Sequence, residues 1–351
     1  MSSSLARSPP RSVAAPAVPP AILGRHREAL ELALRAAVGI EEEPLVAAAR
    51  YVMGWEDERG HRTDEGGKRI RPALCLAAAE ALHGDVAAAM PGAVAVELVH
   101  NFSLVHDEIQ DHDAERHHRR TLWARLGEAQ AINVGDLLFT RAVSALATGD
   151  GDPARRMRAL QVLNGAIAAM IGGQWLDIDF EQRERVSVDE YLAMVAGKTG
   201  ALLSAPLEIG AVLAGADAAT AEAIGRWGAH VGAAFQAQDD YLGIWGDPSH
   251  TGKSNSNDIV RKKKTLPIVH ALSDPDFGAI VARAYLQPEM SADDVSHVVD
   301  ALEGAGSAEY CRTRARAQAA VAQALLADLP LDRETRQEFH AIAVYLVDRD
   351  S

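Results

Sequence analysis

From residue 21 almost to the end, apolar residues return at helical spacing and hardly ever alternate. A chain without strands must bury its apolar stripes helix against helix, so few folds stay open to it. The spacing predicts helices over roughly 21–38, 42–58, 68–83, 87–110, 127–148, 152–183, 187–196, 199–215, 217–246, 263–273, 291–304, 307–328 and 333–348. Turn residues mark the breaks, as in GDGDP at 149–153, GDPSHTGKSNSND at 246–258 and SDPD at 273–276. Several of these helices exceed 20 residues and are apolar on most faces, which belongs to the inside of a bundle. Composition agrees: 48% of residues are hydrophobic but only 5% aromatic, an Ala, Leu and Val content that favours helices over strands. The expectation is an all-α fold, one helical bundle over 21–351, behind a disordered Pro/Ala/Ser-rich tail at 1–20.

A net charge of −14 argues against a general nucleic-acid binder, which needs a basic surface. Cys75 and Cys311 are too few for a disulfide framework and have no metal-ligand spacing. Prolines interrupt the N-terminal region where a signal peptide needs an unbroken apolar run, and no run of 18 apolar residues follows. A cytoplasmic protein without a membrane segment is expected.

The chemistry concentrates in SLVHDEIQDHDAERHHRR at 103–120. Asp107 and Asp111 stand at i and i+4, on one helix face one turn apart. Two hard oxygen ligands so placed suit Mg²⁺, which takes few carboxylates and keeps positions for phosphate oxygens and water. Glu108 lies about 100° round the helix from Asp107 and need not face the same ion. A second acidic group, Asp239 and Asp240, is set late in another long apolar helix, where charges seldom occur unless paired or metal-bound. Three basic clusters accompany them: Lys68 and Arg71 in GGKRIRP, Lys198 beside Thr199 in AGKTG at a helix break, and Lys253 with RKKK at 261–264. Together they fit a diphosphate bridged by several Mg²⁺ ions.

With these residues the sequence resembles a trans-isoprenyl diphosphate synthase. From about residue 60 onward, GGKRIRP, ELVHNFSLVHDEIQD, GEAQAINVGDLLF, GGQWLDIDF, GKTGALLSAP, FQAQDDYLGIWGDPSHTGK and DIVRKKKTLP stand in the order of that family. The resemblance implies the isoprenoid synthase bundle around a deep apolar cavity, usually as a homodimer. It also implies Mg²⁺-assisted loss of diphosphate from an allylic substrate, attack by isopentenyl diphosphate and proton loss, with three ions bridged by diphosphate. Position by position, it makes Asp107, Asp111 and Asp239 metal ligands, with Asp240 a weaker companion. Arg116, Lys198, Thr199, Gln236, Lys253 and Lys263 match positions that hold the allylic diphosphate. Lys68, Arg71 and His100 match three of four that hold isopentenyl diphosphate, and Gln174 and Asp177 match a pair facing the metal region. A floor for the allylic tail falls to bulky residues before Asp107, and an aromatic at Phe102 resembles the arrangement of synthases that stop at twenty carbons, with farnesyl length the nearer alternative.

The sequence departs from the family at four places. DEIQD replaces D-D-x-x-D, Gly243 stands where the second motif ends in Asp, GKSNSND at 252–258 replaces a glycine-bearing version of that segment, and His117 replaces the arginine that completes the isopentenyl diphosphate pocket. A neutral imidazole there is neither a permanent charge nor a bidentate fork, and Arg119 or Arg120 would have to compensate. Chain elongation is the favoured reading, because Lys68, Arg71 and His100 have little purpose without a second diphosphate. A class I terpene synthase on the same scaffold is the alternative, followed by a non-catalytic partner subunit. The HD at 106–107 also admits an HD-type phosphohydrolase, which would need further ligands in another helical order.

Overall fold

A computed structural model of the chain describes residues 18–63, 65–116, 119–246 and 257–347. The first helices are α1 (Ala21–Gly24), α2 (Arg27–Val38), α3 (Pro44–Val52), α4 (Ile70–Ala81) and α5 (Val86–Gln110). A two-residue ladder of β1 (Glu115–Arg116) and β2 (Arg119–Arg120) precedes α6 (Leu122–Leu126), α7 (Glu128–Thr148) and α8 (Pro153–Gln182). Then come α9 (Val188–Val195), a π-turn (Ala196–Gly200), α10 (Ala201–Ala214) and α11 (Ala218–Trp245). The C-terminal part holds α12 (Asn257–Val260), α13 (Leu266–Leu272), α14 (Gly278–Tyr285), α15 (Ala292–Gly304), α16 (Ser307–Asp328) and α17 (Arg333–Val347).

The all-α expectation holds, and its long helices start where the sequence supplies caps. Asp85, Asp152 and Asp217 accept from backbone N–H groups at the starts of α5, α8 and α11, and Ser187 with Glu190 forms a capping box on α9. Helix α10, apolar nearly all round, packs against α4, α5, α8 and α11 at the centre of the bundle. Two stretches, Val86–Gln110 and Val188–Ala214, are long and apolar enough to cross a bilayer, contrary to expectation, but their most apolar windows are 67% and 50% buried inside the bundle.

Other differences are local. α14 is absent from the sequence reading, α3 stops at Val52 instead of 58, and the ladder at 115–120 was not foreseen. AGKTG does not break the helix. It forms a π-turn that joins α9 to α10, and the wider turn keeps the chain helical through two glycines. Those glycines matter for packing: a Cβ on Gly173 of α8 would stand 2.8 Å from Met194 O, and one on Gly197 would stand 2.6 Å from Ala169 O. Backbone therefore meets backbone where α8 crosses the π-turn, at the level of Lys198.

GGKRIRP splits its charges between core and cavity. Arg69, in the left-handed region at φ 49°, caps α4 and is only 5% exposed. It donates to Glu31 Oε1 at 2.9 Å, Glu97 Oε1 at 2.8 Å and Met53 O at 2.9 Å, so it ties α2, α3 and α5 to the start of α4. Lys68 consequently precedes the helix rather than opening it. Removing one partner of a buried ion pair leaves an uncompensated charge, so Glu97→Ala is expected to destabilise the protein by about 3–5 kcal/mol. Chemical denaturation checks this, and a loss below about 1 kcal/mol would show that Arg69 reaches solvent.

Candidate active site

α5 carries Phe102 and Asp107 in its last turns and ends with Asp111 at its C-cap. α8 runs alongside and presents Gln174 and Asp177, while the π-turn brings Lys198 between the two. Its Nζ lies 2.5 Å from Asp177 Oδ2 and 3.8 Å from Asp107 Oδ2. Burial pushes the Asp107 carboxyl above its ordinary range, against the pull of Lys198. Lys263, on the segment before α13, pairs with Asp111 Oδ2 at 3.1 Å. One residue pair further out, Arg261 donates to Asp113, so the 261–263 segment is fastened to the turn after α5 at two points. Carboxylates crowded by the helix ends thus each have a cation, and each such cation is also a phosphate ligand by chemistry.

A cavity of about 340 Å³ opens between these elements. Asp107, Gln174, Lys198, Thr199 and Gln236 line its polar end, and Phe102, Met170 and Leu202 its apolar part. Phe102 is 9% exposed and packs its ring against His106 at 4.9 Å and Phe139 at 5.5 Å between centroids. A second cavity of about 320 Å³ lies on the other side of α5, lined by Lys68, Arg71, His100, Glu108 and Arg119. Arg71, His100, Leu104 and Arg116 line both, so the two cavities share a wall. In that wall Arg71 Nη1 is 3.1 Å from His100 Nε2, which makes Nε2 the acceptor and leaves the proton on Nδ1. Burial, then Arg71 and Arg116, holds His100 well below its ordinary pKa, hence neutral. Arg71 Nε and His100 Nδ1 are buried donors without a partner among the described residues, as an anion-binding wall requires.

The comparisons with known proteins agree with this geometry. A profile described as Polyprenyl synthetase matches residues 58–302. The (2E,6E)-farnesyl diphosphate synthase of Mycobacterium tuberculosis is 38% identical over 336 residues, covering 94% of this chain and 93% of that protein. The geranylgeranyl diphosphate synthase of the same organism is 42% identical over 307 residues, covering 86% and 87%. A crystal structure of polyprenyl synthetase from Streptomyces coelicolor, 41% identical, superposes with a TM-score of 0.86 over 93% of this chain and 99% of that one. The chain belongs to the polyprenyl synthetase family. It is a prenyltransferase of the trans-isoprenyl diphosphate synthase type.

In this polyprenyl synthetase the second acidic pair divides. Asp239 is exposed at the outer face of α11, whereas Asp240 is 5% exposed and points into the protein. Asp240 accepts from Tyr191 OH, from Leu266 N–H at 2.9 Å and from Gln236 Nε2 at 2.9 Å, and Gln236 Oε1 accepts from Thr199 at 2.9 Å. Burial pushes Asp240 up to about 7 against those three donors. With both oxygens engaged by protein donors, Asp240 anchors α9, the π-turn and the start of α13. Lys253 and His117 lie outside the described residues.

Sequence reading overlooked how Arg119 is held, because two-residue strands give no periodicity. In the ladder Arg116 is the cross-strand partner of Arg119, so both side chains stand on one face and both line the second cavity. Arg119 Nη2 donates to Tyr51 O at 3.2 Å and Glu56 O at 2.9 Å, which makes it a clamp on the segment after α3. Arg120 Nη2 donates to Ala124 O at 2.5 Å and turns to α6.

Glu108 does leave the Asp107 face, as its helical position requires, and ends in the second cavity. It is 8% exposed, 4.0 Å from Arg116. Burial pushes its carboxyl from the ordinary 4.5 up to about 7, with Arg116 pulling it down. A raised folded-state value stabilises the fold below pH 4.5, and that contribution is lost as pH rises through about 7. In metal-free protein, Glu108→Gln is therefore expected to show a smaller fall in melting temperature between about pH 5 and about pH 8 than the parent chain. Thermal melts across that range check it, and equal slopes would place the carboxyl in contact with solvent.

Proposed function

We propose that the protein elongates an allylic diphosphate with isopentenyl diphosphate to a C15–C20 product, geranylgeranyl diphosphate being favoured. The observation that carries this reading is the pair of cavities sharing the Arg71–His100–Arg116 wall. A cyclase needs one diphosphate pocket, whereas two substrates joined at carbon need two that meet. The allylic diphosphate belongs at Asp107, Asp111, Lys198, Thr199, Gln236 and Lys263, with its tail along Phe102. Isopentenyl diphosphate belongs at Lys68, Arg71 and His100. Lys198 and Lys263, paired with carboxylates in the structure, are positioned to turn to phosphate oxygens. The donor set fits Mg²⁺: Asp107 and Asp111 one helical turn apart, with Asp239 exposed on α11 three residues beyond Gln236. Bound there, Mg²⁺ would neutralise charge on the leaving diphosphate. The apolar lining of Met170, Leu202 and Phe102 would keep water from the allylic cation.

An exposed apolar stripe on α8, Ile171, Trp175 and Ile178, borders the first cavity and supports a homodimer as the working form. On product length, Phe102 stands five residues before Asp107, about 7.5 Å down the helix axis.

Incubation with Mg²⁺ and an allylic diphosphate, with and without labelled isopentenyl diphosphate, tests the reading. Label should enter a longer prenyl diphosphate, and volatile hydrocarbon formed without the second substrate would select cyclisation instead. Asp107→Ala and Asp239→Ala should each lower turnover at least about a hundredfold, the scale of losing one charge-stabilising group at a reacting centre. Near-parent activity in both would remove the metal assignment. Phe102→Ala should lengthen the product, read by chromatography after phosphatase treatment, and unchanged length in an active variant would place the floor elsewhere.

A further inference from the structure

We infer that Tyr51, in the last turn of α3, is a positioning residue for the second substrate: it fixes the ladder at 115–120 so that Arg116 and Arg119 face the cavity lined by Lys68, Arg71 and His100. The inference rests on reading that cavity as the isopentenyl diphosphate pocket. A two-residue ladder has little stability of its own. This one carries an added cost, because Arg116 and Arg119 stand directly opposite each other and like charges so placed repel. Its base is closed by Thr121, whose N–H donates to Ala114 O at 2.9 Å and whose hydroxyl donates to Asp113 O at 2.7 Å. Those bonds tie the ladder to the end of α5 but do not reach its arginines.

Tyr51 holds β2 with three of its groups. Its hydroxyl donates to Arg120 O at 2.6 Å, and its carbonyl accepts from Arg119 Nη2 at 3.2 Å. Its ring lies under two guanidiniums, with Arg119 Cζ 4.4 Å and Arg125 Cζ 4.5 Å from the centroid. Arg125 belongs to α6, so one ring couples α3, the ladder and α6. Tyr51 is buried, and α3 is seated in the core through Val46, Ala48 and Ala49, so the support is fixed. An aromatic face attracts a guanidinium without cancelling its charge, as a carboxylate would. Glu65, the carboxylate paired with Arg119, stands 3.4 Å from Nε with its side chain 60% exposed, where solvent screens the pair. Arg119 is thereby held in place while remaining a cation toward the cavity.

The test is steady-state kinetics of the full chain with Mg²⁺, varying isopentenyl diphosphate and the allylic diphosphate separately. Tyr51→Phe keeps the ring and removes the hydroxyl. It is expected to raise the KM for isopentenyl diphosphate about threefold, the scale of one hydrogen bond, and to leave the KM for the allylic substrate within about twofold. Tyr51→Leu removes the ring as well and should raise the first constant about tenfold, with the same selectivity. No change in Tyr51→Phe overturns the inference. So does an equal rise in both constants, since a purely structural role would not choose between substrates. Tyr51→Phe decides alone if Tyr51→Leu does not fold. If the parent chain incorporates no labelled isopentenyl diphosphate, the elongation reading fails and takes the inference with it; if the parent elongates and Tyr51→Phe matches it, only the role of Tyr51 fails.

Discussion

Backbone touches backbone where α8 crosses the π-turn at Gly173 and Gly197, and the arrangement of the site follows from that contact. Side chains at either position would push the helices apart by the width of a methyl group or more. Lys198, one residue past Gly197, would move with them, away from Asp177 at 2.5 Å and Asp107 at 3.8 Å. A lysine stem is flexible, but its reach is bounded, and an ammonium shared by two carboxylates tolerates little displacement. The close crossing thus converts two small residues into an electrostatic position.

Around that position the protein handles repulsion before any substrate arrives. Asp107, Asp111 and Asp177 project into one region from the end of α5 and from α8, and burial makes their mutual repulsion expensive. Lys198 and Lys263 relieve it from two different segments. Each cation is held by the sequence-distant element that also shapes a cavity wall. Asp240 works on the other side of α11, taking donors from α9 and α13 and so fixing Gln236 against Thr199. Charge pairs and uncharged amides divide the labour: the first balance the carboxylates where α5, α8 and the π-turn meet, and the second keep the helices in register.

The helices were legible because apolar spacing repeats over many residues, which averages out local exceptions. α14 escaped because its eight residues, between SDPD and QPEM, complete hardly more than two turns of pattern. AGKTG read as a break because glycines disfavour helices, and tertiary contact with Gly173 overrode that preference. The aspartates and basic residues were visible from their setting in apolar helices and from the order of the motifs. Their pairing was not, since Lys263 with Asp111 and Arg261 with Asp113 depend on how α13 and α5 approach in space. Asp239 and Asp240 look equivalent in sequence, and only the direction of α11 relative to Tyr191 separates an outward carboxylate from an anchored one. The buried role of Arg69 was hidden for the opposite reason: it sits among cavity residues in one motif, with nothing local to mark it as core.

The π-turn holds one residue more than a regular helix would use over the same span. It therefore sets the rotational phase of everything in α10. If residues 196–200 wound as a regular helix instead, with none removed, each later side chain would advance about 100° round the axis. Ile209 would then take the place of Gly210, whose missing side chain is what lets α10 lie against the Cys75 carbonyl of α4. Tightening the turn that carries Lys198 would thus be felt first as a clash in the centre of the bundle. The width of that turn is held by packing ten residues away, independently of anything it binds.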